Sequence, residues 1–485
     1  MQQTSIKKNT IYNIIKTCST IVFPLITFPY ISRILLVENV GKINFGLSVI
    51  SYFSMIASLG ITTYAIRECS AARNDKYRLS QIASQLFSIN IFTTILAYIL
   101  LAFTLAFYHK LDNYRVLIII QSFTIVFTTL GADWLNSAME DFRYITLRTV
   151  SFQVVSLVLM FIFIRQPEDY IKYAVISLMS SSGANIVNIW YRRKYCDVRF
   201  TTCIDWKTHL TPILLLFVMI LAQDIFANVD STMLGLMHGD WEVGIYTTAQ
   251  KVTRLVSQVV SSILWVIMPR MSLYFSQNNY TEINRLLRKV LGYNLLVGLP
   301  CITGLIVMAK DIILVMAGPS YIAAAPVLQI RALSMLFALF GGNLLGNAVL
   351  LPSKQEKYYM IVCLITSGIN IATNYLLIPI LGAQGAAITT AFCSLLILIM
   401  LLFRVDKNIR FENVTRLVFS PIAGCASIVI VCLAFTKINS LAFRVILSIG
   451  CSVMLYGIIQ IIFKNELVFE IIGIIRKKVG IIKQC

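Results

Sequence analysis

The feature that most constrains this chain is a succession of about fourteen apolar runs, each long enough to cross a lipid bilayer as one helix. A spanning helix needs about 20 residues, so these runs leave little sequence between them for a soluble domain. Only 13% of the 485 residues are charged, which is roughly half the usual proportion in a soluble domain. The sequence therefore predicts an all-α polytopic membrane protein, and it excludes a soluble enzyme and a disordered chain.

The apolar runs, read between charged residues and Pro or Gly, predict where the helices lie. The first six predicted spans occupy residues 10–33, 41–64, 80–107, 116–138, 145–164 and 170–190. The next six occupy residues 210–236, 243–269, 287–309, 323–351, 358–379 and 383–403. The final pair occupies residues 414–436 and 443–463.

These spans predict four parts of the chain. They are an N-terminal six-helix lobe at 1–191, a cytoplasmic linker at 192–209, a C-terminal six-helix lobe at 210–404, and a helix pair with a tail at 405–485. The tail, from Leu467 to Ile482, is basic and amphipathic, and we expect it to lie on anionic lipid at the cytoplasmic surface.

Two short sequences indicate that the two lobes are repeats. Val40-Gly41 and Val243-Gly244 each open the second helix of their lobe. Because each lobe has an even number of helices, the repeats would be parallel and related by an axis along the membrane normal.

The distribution of basic residues predicts the orientation. With the N-terminus inside, the cytoplasmic loops and termini carry roughly three times as many Lys and Arg residues as the outer loops. Both termini are therefore predicted to be cytoplasmic. The same bias accounts for the net charge of +19 without nucleic acid as a partner.

Ionisable and polar side chains inside the predicted spans are the candidates for function, because they are costly in lipid and normally face a bundle interior or a water-filled cavity. The eighth span carries Lys251, Arg254 and Gln258 on one helical face. With Arg331 and Lys16, these residues are predicted to line a cationic cavity that binds an anionic substrate.

The acidic residues of the seventh span are the candidates for carrying a coupling ion. They are Asp224 and Asp230. An alternative stays open, in which either acid pairs with Lys251 or Arg254 and simply joins two helices. Lys16 also has a structural alternative, because it lies near the cytoplasmic end of its span and can extend to the interface.

Catalytic patterns are missing from the sequence. The three histidines lie far apart, and no His-Glu-x-x-His, Walker loop or paired-cysteine pattern occurs. The predicted loops are too short to fold as a catalytic domain. We therefore expect no enzyme activity, no cofactor and no metal site.

Several segments resemble one family. The run from Asp133 to Phe142, DWLNSAMEDF, resembles the segment that leaves the fourth helix of bacterial O-antigen flippases. Residues 298–305, GLPCITGL, and 382–387, GAQGAA, are similar to the second half of polysaccharide-synthesis flippases. The resemblance runs from about residue 8 to 405, and it identifies a Wzx-type flippase of the multidrug/oligosaccharidyl-lipid/polysaccharide exporter superfamily.

The resemblance implies a function, a location and partners. The expected function is to move an undecaprenyl-diphosphate-linked oligosaccharide, such as an O-antigen repeat unit, across the bacterial inner membrane by alternating access. Membrane lipids surround such a protein, and the polymerase and chain-length proteins of the same pathway are the expected protein partners. The alternatives are a lipid II-type flippase or a drug exporter of the same superfamily, or, from another class, a membrane polysaccharide polymerase.

Overall fold

The computed structural model describes residues 6–409 and 414–478. Within these ranges the regular elements are helices of the α, 3₁₀ and π types. Ten of the described helices are long and apolar enough to cross a membrane, and an eleventh candidate is the bent pair Asp240–Leu264 and Ile267–Ser276. The prediction of an all-α polytopic membrane protein is confirmed.

The chain divides into two compact units, Met1–Gly244 and Ile245–Cys485. The α-helices that begin in the first unit are α1 (Ile6–Ser58), α2 (Ile61–Ala71), α3 (Lys76–Phe107), α4 (Arg115–Gly131), α5 (Trp134–Ala138), α6 (Phe142–Phe163), α7 (Tyr170–Leu178), α8 (Ala184–Tyr191), α9 (Trp206–Met237) and α10 (Asp240–Ser276). The division falls within α10. The main contacts of α9 are with α1 and α2, and α9 belongs to the first unit. The domain limits that the sequence predicts stay a prediction.

Among its described residues, the second unit contains most of α10 and eight further α-helices. They are α11 (Tyr280–Tyr293), α12 (Leu299–Val307), α13 (Ala309–Met316), α14 (Ala324–Ala338), α15 (Glu356–Leu402), α16 (Val414–Ala434), α17 (Leu441–Ile462) and α18 (Glu466–Lys478). The π-helical segments in the two units are Met179–Gly183, Asn294–Gly298 and Leu339–Leu350.

Two helical runs are too long to be single spans. Ile11–Ala71 has 61 residues and Glu356–Leu402 has 47, and at about 1.5 Å per residue even the shorter run exceeds twice the roughly 30 Å of a hydrocarbon core. Each run contains one residue with non-helical backbone angles, Leu36 (φ 62°, ψ 177°) and Gly382 (φ 54°, ψ −131°). Both breaks lie between spans that the sequence predicts as separate helices.

The two glycines of the predicted repeat lie against each other's helices. A Cβ atom on Gly41 would stand 1.8 Å from the carbonyl oxygen of Asp240, and a Cβ on Gly244 would stand 2.3 Å from that of Val37. The contact is reciprocal, since the same sequence offset separates Val37 from Asp240 and Gly41 from Gly244. Only glycine permits backbones to approach this closely.

The C-terminal helix α18 docks on α11 within the second unit. Glu466 and Glu470 of α18 pair with Arg288 and Lys289 of α11, at 2.9 and 2.6 Å. The predicted amphipathic tail is helical as far as Lys478, and its remaining residues lie outside the described ranges. In the described part of the tail, these ion pairs attach α18 to α11, a contact that the sequence pattern did not predict.

Candidate functional site

A cavity of about 560 Å³ lies inside the first unit. Side chains from α1 to α5, α8 and α9 line it together with the turn between α4 and α5, and its volume is within the usual range of small-molecule sites. The polar lining residues are Ser51, Ser54, Ser58, Thr62, Asn90, Thr124, Thr128, Thr129, Asp133, Ser137, Asn185, Asp224 and Asn228. Within the part of the chain that the structure describes, no lysine or arginine belongs to the lining.

Helical spacing brings these polar side chains to one place. Ser51, Ser54 and Ser58 recur at three- and four-residue intervals along α1 and so share a face. The Ser51 hydroxyl donates to the Ser48 carbonyl at 2.7 Å, which satisfies the hydroxyl donor within an apolar helix. On α9 the Asn228 amide donates to the Asp224 backbone carbonyl one turn earlier, at 3.2 Å. The helices therefore satisfy these polar donors within their own backbones, which lowers the cost of keeping them inside an apolar span.

The segment DWLNSAMEDF builds one wall of the cavity. Its Asp133 carboxylate accepts hydrogen bonds from Arg148 at 2.7 Å and from the Asn136 amide at 2.8 Å. Asn136 also donates to the Asn188 side chain at 2.7 Å, which ties the segment to α8. These bonds hold Trp134 against the cavity, with 5% of its surface exposed. Its indole N–H has no acceptor among the described residues.

Asp141 secures the other end of the same segment. Its carboxylate accepts hydrogen bonds from the hydroxyls of Tyr195 and Tyr191 at 2.7 and 2.8 Å, from the Tyr144 N–H, and from Lys194. Burial by itself would raise the pKa of Asp141, but these donors outweigh it and hold the pKa below its usual range. The residue therefore joins the start of α6 to the end of the α8 region as an ionised carboxylate.

The predicted acidic residues occupy different positions in the first unit. Asp224 lines the cavity and is half-buried. Asp230 is 2% exposed and is not among the described lining residues. Lys16, on α1, is half-buried and also lies away from the lining. Only Asp224 of the predicted residues therefore reaches this cavity.

The predicted basic residues on α10 and α14 belong to the second unit. Lys251 is half-buried, while Arg254 and Gln258 on the same face are exposed. Arg331 donates a hydrogen bond to the buried hydroxyl of Tyr246 and lies over its ring, 5.0 Å from the centroid. The structure thus engages Arg331 with an aromatic ring and leaves Arg254 and Gln258 at the surface of α10.

Sequence reasoning missed the neutral part of the cavity. It weighed ionisable side chains and Gln258 within apolar spans, and it gave no role to the serine and threonine hydroxyls of this cavity or to Trp134. The available signal was the helical spacing of Ser51, Ser54 and Ser58.

Comparisons with known proteins show which families and relatives this chain is similar to. The family model described as "Polysaccharide biosynthesis protein" matches residues 6–275, and that of "Lipid II flippase MurJ" matches residues 242–455. A candidate O-antigen transporter of Escherichia coli (strain K12) is 23% identical over 83% of this chain and 97% of its own length. Capsular polysaccharide biosynthesis protein CapF of Staphylococcus aureus is 22% identical over 75% of this chain and 89% of its own.

A solved structure shares the fold. "Lipid II flippase MurJ, inward closed conformation" superposes with a TM-score of 0.75 at 16% identity, over 95% of this chain and 100% of that one. The resemblance found in the sequence is confirmed by the family models and by these relatives. The expectation that the chain is not an enzyme agrees with them, since they are transporters and flippases.

Proposed function

Because the chain belongs to the polysaccharide biosynthesis protein family, we propose that it flips an undecaprenyl-diphosphate-linked oligosaccharide from the cytoplasmic to the periplasmic leaflet of a bacterial inner membrane. The substrate is an O-antigen or similar surface-polysaccharide repeat unit, moved by alternating access. The observation that carries the proposal is the match along most of the chain to an O-antigen transporter and a capsular polysaccharide protein. The pathway's polymerase and chain-length proteins are the proposed partners.

The proposed architecture has fourteen spans in two parallel six-helix lobes, a trailing pair, and both termini in the cytoplasm. The breaks at Leu36 and Gly382 support it, because each allows one long helical run to supply two spans.

The basic residues of the second unit supply the proposed site for the diphosphate. Arg254 and Gln258 are exposed near the middle of the predicted span 243–269. An arginine there costs about 2.5–3.5 kcal/mol if it faces lipid, so its exposure favours a water-filled cavity. The planar guanidinium can bind two phosphate oxygens at once. Arg254, with Lys251 and Arg331 as further cations of this unit, then attracts the anionic head of the lipid. Lys16 of the first unit is proposed separately as a further substrate-binding cation.

Asp224 is the proposed carrier of a coupling proton, with Asp230 as the second candidate. Asp224 forms no ion pair with any residue in the described ranges, and it lines a cavity through which water can reach it. Replacing Asp224 with Asn should abolish the response of flipping to an imposed pH gradient, while Asp224→Glu should retain it. A full response in the Asn variant would remove Asp224 from this role.

A lipid II-type flippase is the second candidate function, favoured by the match of the MurJ model to residues 242–455. A drug exporter of the same superfamily and a membrane polymerase are weaker candidates. The polymerase would need a large external loop, which the sequence does not predict.

The deciding experiment measures lipid-linked repeat units in cells that lack the gene. We expect complete units to accumulate on the cytoplasmic face, with loss of surface polysaccharide, and Arg254→Gln to complement less well than Arg254→Lys. Units that reach the outer face but stay unpolymerised would instead indicate a polymerase. Loss of peptidoglycan synthesis with normal surface polysaccharide would indicate a lipid II flippase.

A further inference from the structure

The contact between α18 and α11 lies within the second unit, where the predicted span 287–309 begins and just after the predicted span 443–463 ends. In the proposed topology both of these span ends lie at the same membrane surface. A cavity of about 230 Å³ separates parts of the two helices. Three basic residues of α11, two acidic residues of α18, and the apolar side chains of Leu417 and Leu467 line it.

Exposed ion pairs hold the body of α18 on α11. Arg288 pairs with Glu466 and Lys289 with Glu470, and the two basic side chains keep 31% and 34% of their surface exposed. An exposed ion pair changes an equilibrium by at most about fivefold, so two of them favour docking by no more than about 25-fold. This part of the contact is therefore reversible, and salt weakens it further.

The residue that precedes α18 is fixed more firmly. Asn465 is buried, and its amide donates to the Ser420 hydroxyl at 3.0 Å and to the Gln460 side chain at 3.1 Å. Its side-chain oxygen accepts a hydrogen bond from the Leu467 N–H at 3.1 Å, which caps the start of α18. Helix α18 therefore has a fixed base and a body that is held mainly by ion pairs.

The basic face of α11 has the chemistry of a phosphate site. This face consists of Arg285, Arg288 and Lys289, which recur at three- and four-residue intervals on one side of the helix. Arg285 is exposed, and its ion pair with Glu282 is long, at 3.4 Å. A guanidinium can bind two phosphate oxygens at once. A phospholipid presents such a phosphate at the membrane surface, with acyl chains that suit an apolar neighbour such as Leu417.

Anionic lipid competes effectively with α18 for these bases. Each Lys or Arg near an anionic membrane surface strengthens binding by roughly fivefold, so three of them gain about 125-fold. The two exposed ion pairs that they would give up are worth no more than about 25-fold. The basic end of α18, Arg476 to Lys478, is attracted to the same surface. The balance therefore favours the headgroup wherever anionic lipid is abundant.

We propose that the basic face of α11 is a binding site for the phosphate of an anionic phospholipid, and that α18 is a latch that covers this site until the headgroup replaces Glu466 and Glu470. The helix α11 continues through the π-helical segment Asn294–Gly298 into α12, so the docked latch restrains the start of this span. The inference goes beyond the proposed function and uses none of the residues assigned there to the substrate or to a coupling proton.

The first test measures lipid binding to the purified full-length protein in neutral detergent. Dioctanoyl phosphatidylglycerol is compared with dioctanoyl phosphatidylcholine, which carries the same chains without net charge. We expect the anionic lipid to bind at least about tenfold more tightly. Inorganic phosphate and glycerophosphoglycerol, which have no acyl chains, should bind at least about tenfold more weakly than the anionic lipid, because they lack the apolar part of the ligand.

Two double variants change the affinity in opposite directions. Glu466→Gln with Glu470→Gln removes the competing acids and should tighten binding of the anionic lipid by up to about 25-fold. Arg288→Gln with Lys289→Gln should weaken it by roughly 25-fold. The matched control is Glu140→Gln, which removes the acid from an exposed ion pair of the first unit, with Arg73 at 3.0 Å. This control should leave the affinity unchanged.

A second test follows the latch in the unchanged protein. A water-soluble carbodiimide joins a lysine amine to a carboxylate only where the two are in contact, as Lys289 and Glu470 are at 2.6 Å. Mass spectrometry should detect this cross-link in detergent alone and with phosphatidylcholine. Saturating phosphatidylglycerol should lower its yield at least about fivefold. The pair of Lys172 and Asp169, at 2.7 Å in the first unit, is the internal control and should cross-link equally throughout.

The outcomes separate the parts of the inference. Binding of phosphatidylglycerol with an unchanged Lys289–Glu470 cross-link would refute the latch. Equal affinity for the two lipids, or equal tightening by Glu140→Gln, would refute the site on α11. If inorganic phosphate removes the cross-link as well as the lipid does, the ligand is a free anion and the lipid is refuted. None of these results alters the flippase proposal, which the accumulation of lipid-linked units in cells tests separately.

Discussion

At the scale of single residues, Asp133 shows how one carboxylate supports the cavity. It compensates Arg148, whose side chain is only 5% exposed, and it orients Asn136. Two further Arg148 nitrogens, Nε and Nη1, are buried without a described partner. Arg148 therefore depends on Asp133 for the compensation of its charge, and a buried charge that loses its partner is strongly destabilising.

Replacing Asp133 with Asn should lower the free energy of unfolding by about 2–3 kcal/mol. This loss is smaller than for a fully buried pair, because 33% of the surface of the Asp133 side chain is exposed. The measurement is thermal unfolding in detergent. The control is Glu140→Gln, which breaks the exposed pair with Arg73 at 3.0 Å and should change stability by less than about 1 kcal/mol. Equal shifts in the two variants would contradict the buried role of Arg148.

The hydrogen bonds of Asp141 predict a dependence of stability on pH. Because folding lowers the pKa of this carboxyl, its stabilisation is present above the unfolded pKa of about 3.9 and is lost as the pH falls through the folded pKa. Asp141→Asn should therefore be less stable than the unchanged protein at pH 7, and the difference should shrink below about pH 4. A difference that stays constant from pH 7 to pH 3 would show that the charge of Asp141 contributes nothing.

At the scale of elements, the break in α1 depends on a strained residue. Leu36 has φ 62° and ψ 177°, a region that is occupied almost only by glycine and costs other residues about 1–3 kcal/mol. The break is required because an uninterrupted helix of this length would extend far beyond the bilayer. The neighbouring Leu35 is fully buried, which helps to hold the backbone in this conformation.

Leu36→Gly should leave the protein folded and raise its midpoint temperature of unfolding or leave it unchanged, since glycine relieves the strain at this position. Leu35→Gly is the matched control, and it should destabilise the protein by about 3 kcal/mol or more because it removes a buried side chain. The measurement is thermal unfolding of both variants. If Leu36→Gly destabilises the protein as much as Leu35→Gly does, then the backbone at Leu36 is not strained.

At the scale of the whole molecule, the proposed topology makes the two long helical runs cross the membrane twice each. Reporter fusions after Arg73 and Arg404 should then lie in the cytoplasm, and a fusion after Leu236 should lie in the periplasm. A green fluorescent protein and alkaline phosphatase pair reports both locations. A periplasmic Arg73 fusion would mean that Ile11–Ala71 crosses once, and fusions after Leu236 and Arg404 on the same side would refute the orientation.

The positions of the helices could be predicted closely because hydropathy is a property of consecutive residues. The predicted span 80–107 corresponds to α3, which is Lys76–Phe107, and 443–463 corresponds to α17, which is Leu441–Ile462. The ends differ by a few residues where polar caps such as Asp75 extend a helix beyond its apolar part. The exact residue at which α1 breaks was harder to predict, because Leu36 carries none of the sequence signals of a turn.

Apolar runs and short motifs were sufficient to identify an all-helical membrane protein of the polysaccharide biosynthesis family, because both can be recognised without knowing which residues are in contact. The set of polar residues that share a cavity became apparent from the folded helices alone. The tertiary structure gathered Ser51, Thr128, Trp134 and Asp224 from four separate helices into one site, and it engaged Arg331 with Tyr246 instead. The physical reason is that a cavity lining is assembled by helix packing between distant segments, whereas a span is encoded within a single stretch of residues.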